Sequence, residues 1–295
     1  MKHAALITAY KDFEQLKVLI NELGDGFNVY VHVDKKSVVP AATIHEVRQL
    51  PNVAYVGQDY KVNWGAVNHL KSYIKLARTA LTNADNQYFH LITGQDYPVQ
   101  SSRHFASLME GDDRSYLEHF SLPSPRWSGG GLERLEYYNL CSLIDAKQHG
   151  KWVNRIIRLQ KLVKFKRPIS EDLGQLYGGS TYWSLSREIL RYVIDFTDRN
   201  PSILDRFKHT FCAEEIYFQT VVMNSPFAHK VVNDSRRFID WAKAEEGSPP
   251  FLDESDYSAI VSSDCLFARK IDGRETELIE KLTAHRKETQ DVSAG

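Results

Sequence analysis

Along the first hundred residues short apolar runs alternate with amphipathic stretches, the pattern of βαβ units feeding a largely parallel sheet. Residues 3–9 hold the unbroken run Ala4-Ala5-Leu6-Ile7 and predict a central strand. Residues 12–23 place apolar side chains at helical spacing, with Gly24 and Gly26 as the stop. Further strands are predicted over 27–33 and 52–56, an amphipathic helix over 68–81, and a buried strand over 88–93 that ends at Gly94. In such sheets functional loops gather beyond the carboxyl ends of the strands, where Asp34 and Gln95-Asp96 fall.

After residue 120 the texture changes. Pro123, Pro125 and Gly129-Gly130-Gly131 mark an irregular, mobile loop of the kind that serves as a substrate lid or acceptor wall. Residues 151–167, from Lys151 to Arg167, contain no acid, and Trp152, Ile156, Ile157, Leu159, Leu162, Val163 and Phe165 lie among the bases. A helix over this segment puts most of its apolar groups on one side, which fits an interfacial helix or a surface helix packing its stripe on the domain. A strand is predicted over 181–185 and helices over 188–197, 214–223 and 274–287, with residues 288–295 a frayed tail. With no repeat or low-complexity tract, residues 1–287 read as one α/β domain with an elaborated second half.

Composition narrows the classes. The 295 residues are 42% hydrophobic, ample for a core, and the formal net charge is −1, so nothing global points to nucleic acid and any anion site must be local. Cys141, Cys212 and Cys265 lack metal or disulfide spacing and read as buried thiols of a reducing compartment. Met1 is followed almost at once by a strand-like run, and no apolar stretch is long enough to span a bilayer. The expectation is a cytoplasmic protein, with any membrane contact peripheral and made through residues 151–167.

Candidate chemistry sits in two short segments. Glu214 and Glu215 open a predicted helix, and adjacent helical positions lie about a hundred degrees apart, so one acid can face a cleft while the other does not. The cleft-facing acid could remove a proton from a hydroxyl attacking an anomeric carbon, in a one-step inverting displacement. A nucleoside diphosphate leaving group then needs its developing charge met. No Asp-x-Asp pair is present to hold a metal, and Phe267-Ala268-Arg269-Lys270 supplies two adjacent bases instead. A cation held by Asp34 with Asp96 or Asp112-Asp113 is one alternative, and a sugar-binding protein that has lost catalysis is another.

The segments His32-Val33-Asp34-Lys35-Lys36-Ser37, Asn63-Trp64-Gly65, residues 90–101, Tyr177-Gly178-Gly179-Ser180, residues 212–218, Arg237-Phe238-Ile239-Asp240-Trp241 and residues 266–272 occur in a telling order. Together they resemble the core-2/I-branching β-1,6-N-acetylglucosaminyltransferases and the related peptide O-xylosyltransferases, in particular their shorter bacterial relatives. The resemblance implies a GT-A-like fold with a mixed central sheet, a Rossmann-type nucleotide-binding half over about 1–120 and an acceptor and catalytic half over 121–287, with inverting chemistry and a UDP-sugar donor used without metal or other cofactor. It assigns Glu215 as catalytic base with Glu214 in support, and Lys270 to the donor phosphates. Asp34 would lie by the uridine, with Trp64, Asp96, Gly179 and Ser180 in the donor site; Glu118, Arg134 and Trp241 would meet the acceptor. A second phosphate-binding arginine of animal members has no counterpart between residues 249 and 262, a duty Arg269 could take over. The implied role is transfer of a sugar to a glycan or lipid-linked glycan during bacterial surface polysaccharide synthesis, UDP-N-acetylglucosamine being the first choice of donor and UDP-xylose, UDP-glucose and UDP-galactose the alternatives.

Overall fold

The computed structural model describes residues 2–108, 114–244 and 248–291. In chain order the elements are β1 (Lys2–Ala9), α1 (Phe13–Leu23), β2 (Phe27–Val33), α2 (Ala41–Gln49), β3 (Val53–Gly57), α3 (Asn68–Leu81), β4 (Asn86–Thr93), β5 (Asp96–Pro98), α4 (Ser102–Ser107), β6 (Ser115–Leu117), β7 (Phe120–Ser121) and α5 (Glu133–Glu136). There follow α6 (Ala146–Leu162), β8 (Tyr177–Gly178), β9 (Trp183–Ser186), α7 (Arg187–Arg199), α8 (Pro201–Arg206), α9 (Tyr217–Met223), β10 (Val231–Val232), β11 (Arg237–Ile239), α10 (Tyr257–Val261), β12 (Phe267–Arg269) and α11 (Thr276–Asp291).

A seven-stranded sheet ordered β10-β6-β9-β4-β1-β2-β3 forms the centre. Its strands are parallel except β9, which runs antiparallel to both β4 and β6. The α/β fold is therefore the GT-A-like arrangement that the resemblance implies, and strands from both halves of the chain share one sheet. Alternation along β1 shows why both faces are covered: Ala4 and Leu6 pack with α3, α7 and α9, while Ala5, Ile7 and Ala9 pack with α1 and α2. A small sheet, β11-β12-β5, closes one end over a third core with α10 and α11.

Several boundaries differ from the sequence reading. Helix α2 went unread because only Val47 of it is fully buried, leaving a weak apolar stripe. The chain predicted as one helix over 214–223 is a 3-10 turn, Ala213–Glu215, and then α9. The Gly179 amide donates to the Glu215 carbonyl at 3.0 Å, taking that carbonyl out of the helical ladder. Helix α6 starts before the predicted segment and ends at Leu162, not Arg167. Lys164 has φ 54°, its N–H bonds to Lys161 O (3.1 Å), and Phe165 N–H bonds back to Gln160 O (2.9 Å), a left-handed cap that closes the helix. The presumed tail is partly helical, since α11 continues to Asp291. The loop around Gly129-Gly130-Gly131 holds a 3-10 turn, and all three glycines have positive φ that other residues adopt only with strain.

Candidate active site

The carboxyl ends of the parallel strands, the amino end of β9 and the small sheet deliver the candidate residues to one side of the central sheet. Asp34 follows β2, Asp96 opens β5, Glu118 follows β6, and Gly179 and Ser180 precede β9. Asp34 Oδ1 accepts the Lys36 and Val62 amides, both at 2.9 Å, which fastens the loop after β2 to the segment leading to Trp64. Trp64 stands 49% exposed, its ring edge-on to Phe211 at 5.1 Å.

Adjacent acids are sorted by the turn that carries them. Cys212 adopts φ 48° and ψ 56°, and its carbonyl accepts the Glu215 amide at 3.1 Å. Glu214 points inward: its side chain is 5% exposed and Oε1 lies 3.2 Å from His69 Nδ1 on α3. Glu215 points the other way, with 29% of its side chain exposed, and accepts a hydrogen bond from Arg134 Nη1 at 2.5 Å. Burial raises the Glu215 pKa above the ordinary carboxylate range, Arg134 opposes that shift, and the Glu214 charge adds to it. A half-open carboxyl with a raised pKa is suited to accept a proton from a hydroxyl near neutral pH.

Arg134, expected on the acceptor side, is the clamp on Glu215. Its guanidinium stacks 3.7 Å from the centre of the Trp127 ring and 5.6 Å from that of Phe211. Gly179 joins the two halves of the site. A Cβ there would sit 1.9 Å from the Glu118 carbonyl oxygen, so only glycine lets the end of β6 approach the Glu215 turn. Glu118 itself meets Arg126 at 3.5 Å. Glu118, Ser180 and Trp241 line one polar cleft of about 370 Å³, with Arg126, Asp234 and Arg237 among its other walls. Trp241 is 57% exposed there, a flat apolar surface free to meet a sugar face.

Strand register places the basic segment. In the antiparallel β12–β5 pair Arg269 lies directly opposite Asp96. Asp96 is fully buried; its Oδ2 accepts the Thr93 amide (2.7 Å) and hydroxyl (2.6 Å) and lies 3.4 Å from Arg269 Nη1. Arg269 also stacks 4.2 Å from the Tyr182 ring centre, so it forms the floor and is 8% exposed in its side chain. Lys270 faces outward and donates to Ser248 Oγ at 2.6 Å. Its ammonium and that of Lys11 flank the Phe251 ring, at 5.8 and 5.5 Å from the centre. Burial lowers the Lys270 pKa, and Arg269, Lys147 and Lys11 add to the effect, so several cations converge where an anion would relieve their repulsion.

His69, Tyr182, Lys11 and Lys147 were missed in the sequence. Lys11 had a usable signal, lying in the loop after β1 where carboxyl-end loops collect function. The others had none, because their roles come from partners remote in sequence. Among the described residues no group of three or more His, Cys, Asp or Glu side chains lies close enough to hold a metal ion. Asp34 and Asp96 thus form no such group, and Asp112 and Asp113 lie outside the described residues. Cys141, Cys212 and Cys265 are free thiols, the first two buried. Among the described residues no helix is long and apolar enough to cross a membrane.

Comparison with known proteins shows the family. The family model "Core-2/I-Branching enzyme" matches residues 4–260. Xylosyltransferase 1 of Mus musculus is 26% identical over 239 residues, covering 79% of this chain and 23% of that protein. The β-glucuronosyltransferase GlcAT14A of Arabidopsis thaliana is 32% identical over 203 residues, covering 68% of this chain and 42% of that one. The chain thus matches less than half the length of either relative. Among solved structures, the galactosyltransferase LgtC in complex with donor and acceptor sugar analogues aligns over 95% of both chains with a TM-score of 0.43 and 10% identity.

Proposed function

The chain belongs to the Core-2/I-Branching enzyme family, and from that premise we propose that it is an inverting glycosyltransferase that moves a sugar from a UDP-sugar to a hydroxyl of a glycan without a metal ion. Glu215 takes the proton of the acceptor hydroxyl as its oxygen attacks the anomeric carbon. The bond from that carbon to the diphosphate breaks on the opposite face, and UDP leaves with the electron pair. Lys270, backed by Lys11 and Lys147, meets the charge that develops on the diphosphate. Arg269 contributes to donor binding from the floor, where it holds Asp96 and Tyr182 in place. Asp34 and Trp64 border the nucleotide, with Gly179 and Ser180 beside the donor sugar. Glu118 and Trp241 face the acceptor, and Arg134 orients Glu215 next to it. Residues up to about 120 supply Lys11, Asp34 and Trp64 to the donor side and Glu118 to the acceptor side, while residues 121–287 supply the base Glu215 and the phosphate-facing Lys270.

The observation that carries this reading is the half-open Glu215 carboxyl, its pKa raised by burial and its position fixed by Arg134. The cations gathered around Lys270, namely Arg269, Lys147 and Lys11, are what support the metal-free form. UDP-N-acetylglucosamine is the preferred donor; the acceptor is a glycan or lipid-linked glycan of a bacterial surface polysaccharide, met at the inner face of the membrane. The test is a panel of UDP-N-acetylglucosamine, UDP-xylose, UDP-glucose, UDP-galactose and UDP-glucuronic acid, scored for UDP release with and without excess EDTA. One donor should turn over equally in both conditions. Inhibition by EDTA that manganese reverses would overturn the metal-free mechanism, and binding of UDP with no release from any donor would favour a silent sugar-nucleotide binder.

A further inference from the structure

A cavity of about 730 Å³ lies outside the candidate active site, at the C-terminal end of α6. Tyr138, Phe165, Lys166, Arg167, Arg206 and His209 line it, together with one acid, Asp205. Its two arginines have no carboxylate partner among the described residues. Arg167 donates to the carbonyls of Arg206 (2.6 Å) and Leu135 (3.4 Å), and Arg206 to those of Pro168 and Leu135 (2.7 and 3.1 Å). Arg206 Nη1 and His209 Nδ1 are buried without a hydrogen-bond partner. Burial, and to a lesser degree the neighbouring Arg206 charge, push the Arg167 pKa down to about 10.

Helix α6 and the residues that follow it into this cavity carry a surface that is apolar and basic together. Inward-facing Val153 and Ile157 anchor α6 on the domain, so the apolar residues divide between two faces. Trp152, Leu159, Leu162, Val163 and Phe165 remain 48–79% exposed. Residues 151–167 hold seven bases and no acid. Glu133 pairs with Lys161 and Glu136 with Lys166, whereas Lys151, Arg155, Arg158 and Lys164 have no carboxylate partner among the described residues. An exposed apolar row ringed by unneutralised cations is complementary to an anionic bilayer.

We propose that this cavity receives the phosphate headgroup of an anionic phospholipid while Leu159, Leu162, Val163 and Phe165 enter the acyl boundary beside it. The site deepens the membrane-side part of the proposed function and is independent of the transfer chemistry. The experiment is flotation of the full chain with phosphatidylcholine vesicles, with and without about 30% phosphatidylglycerol. Anionic vesicles should bind at least about tenfold more protein than neutral ones, and about 0.5 M salt should release it. Leu162→Asp combined with Lys164→Glu, both on the surface, should abolish flotation with an unchanged melting temperature. Arg206→Gln should weaken it about tenfold, while Glu215→Gln should float like the parent whether or not the transfer reading holds. Equal binding to neutral vesicles, no flotation, flotation unaltered by the surface double variant, or its full displacement by millimolar inorganic phosphate would each overturn the proposal.

Discussion

The turn carrying Glu214-Glu215 and the strand end carrying Arg269-Lys270 solve the same problem with opposite charges. In each, two adjacent like-charged residues are separated by burial: the first is anchored inside and the second left open. Glu214 is held near His69 while Glu215 reaches the cleft; Arg269 is held by Asp96 and Tyr182 while Lys270 faces the loops. The difference lies in the open member. Glu215 keeps a counter-charge, Arg134, that fixes its direction, whereas Lys270 is flanked by other cations and has no carboxylate partner among the described residues. A base must be aimed and kept near its proton-accepting form, while a phosphate site should be left electrostatically unsatisfied until its ligand arrives. Anchored members should therefore govern stability and open members turnover.

The largest effect is expected at Glu215. Glu215→Gln should lower transfer by about 10²–10⁴-fold while UDP affinity, read by calorimetry, changes little; loss of both together would mean that the turn has collapsed.

The second pair sharpens the contrast. Lys270→Met should lower kcat/KM by about 10²-fold with little change in melting temperature. Arg269→Met should destabilise the protein by about 3–5 kcal/mol, because it strands a fully buried Asp96 charge. Equal thermal losses in the two variants would break the distinction between anchor and open member.

The smallest effects concern pH. In the proposed role of base Glu215 acts deprotonated, and its folded pKa lies above the ordinary carboxylate value, so activity should fall as pH drops through that raised value. Arg134 favours the charged form, so Arg134→Met should move the acid limb of the kcat/KM profile up by about 1 unit. Glu214 disfavours the charged form, and Glu214→Gln should move the limb down by less. Shifts of the same sign in both variants would contradict the electrostatic account of the turn.

How much of this was legible in the sequence follows from the range of the interactions. The parallel strands could be read because two-sided burial leaves continuous apolar runs such as Ala4-Ala5-Leu6-Ile7. Glu215 and Lys270 could be singled out because short motifs surround them. The inward turn of Arg269 could not, since Asp96, its partner, is 173 residues away and is set opposite it by strand register. The His69 contact with Glu214 spans 145 residues and has no local signature. The two-faced character of α6 was hidden for a related reason: its apolar residues fit a helix, but which of them meet Cys141 and Phe211 and which meet solvent depends on the docking of that helix.

The central claim is that fixed side-chain cations, with no metal ion, receive the departing diphosphate opposite an aimed carboxylate. A crystal structure with UDP bound, grown with manganese present, tests it most directly. The account predicts Lys270 Nζ within hydrogen-bond distance of the diphosphate oxygens, with Lys11 and Lys147 nearby and no ion bridging the phosphates. A manganese ion between those oxygens, or phosphates lying away from Lys270, would contradict it.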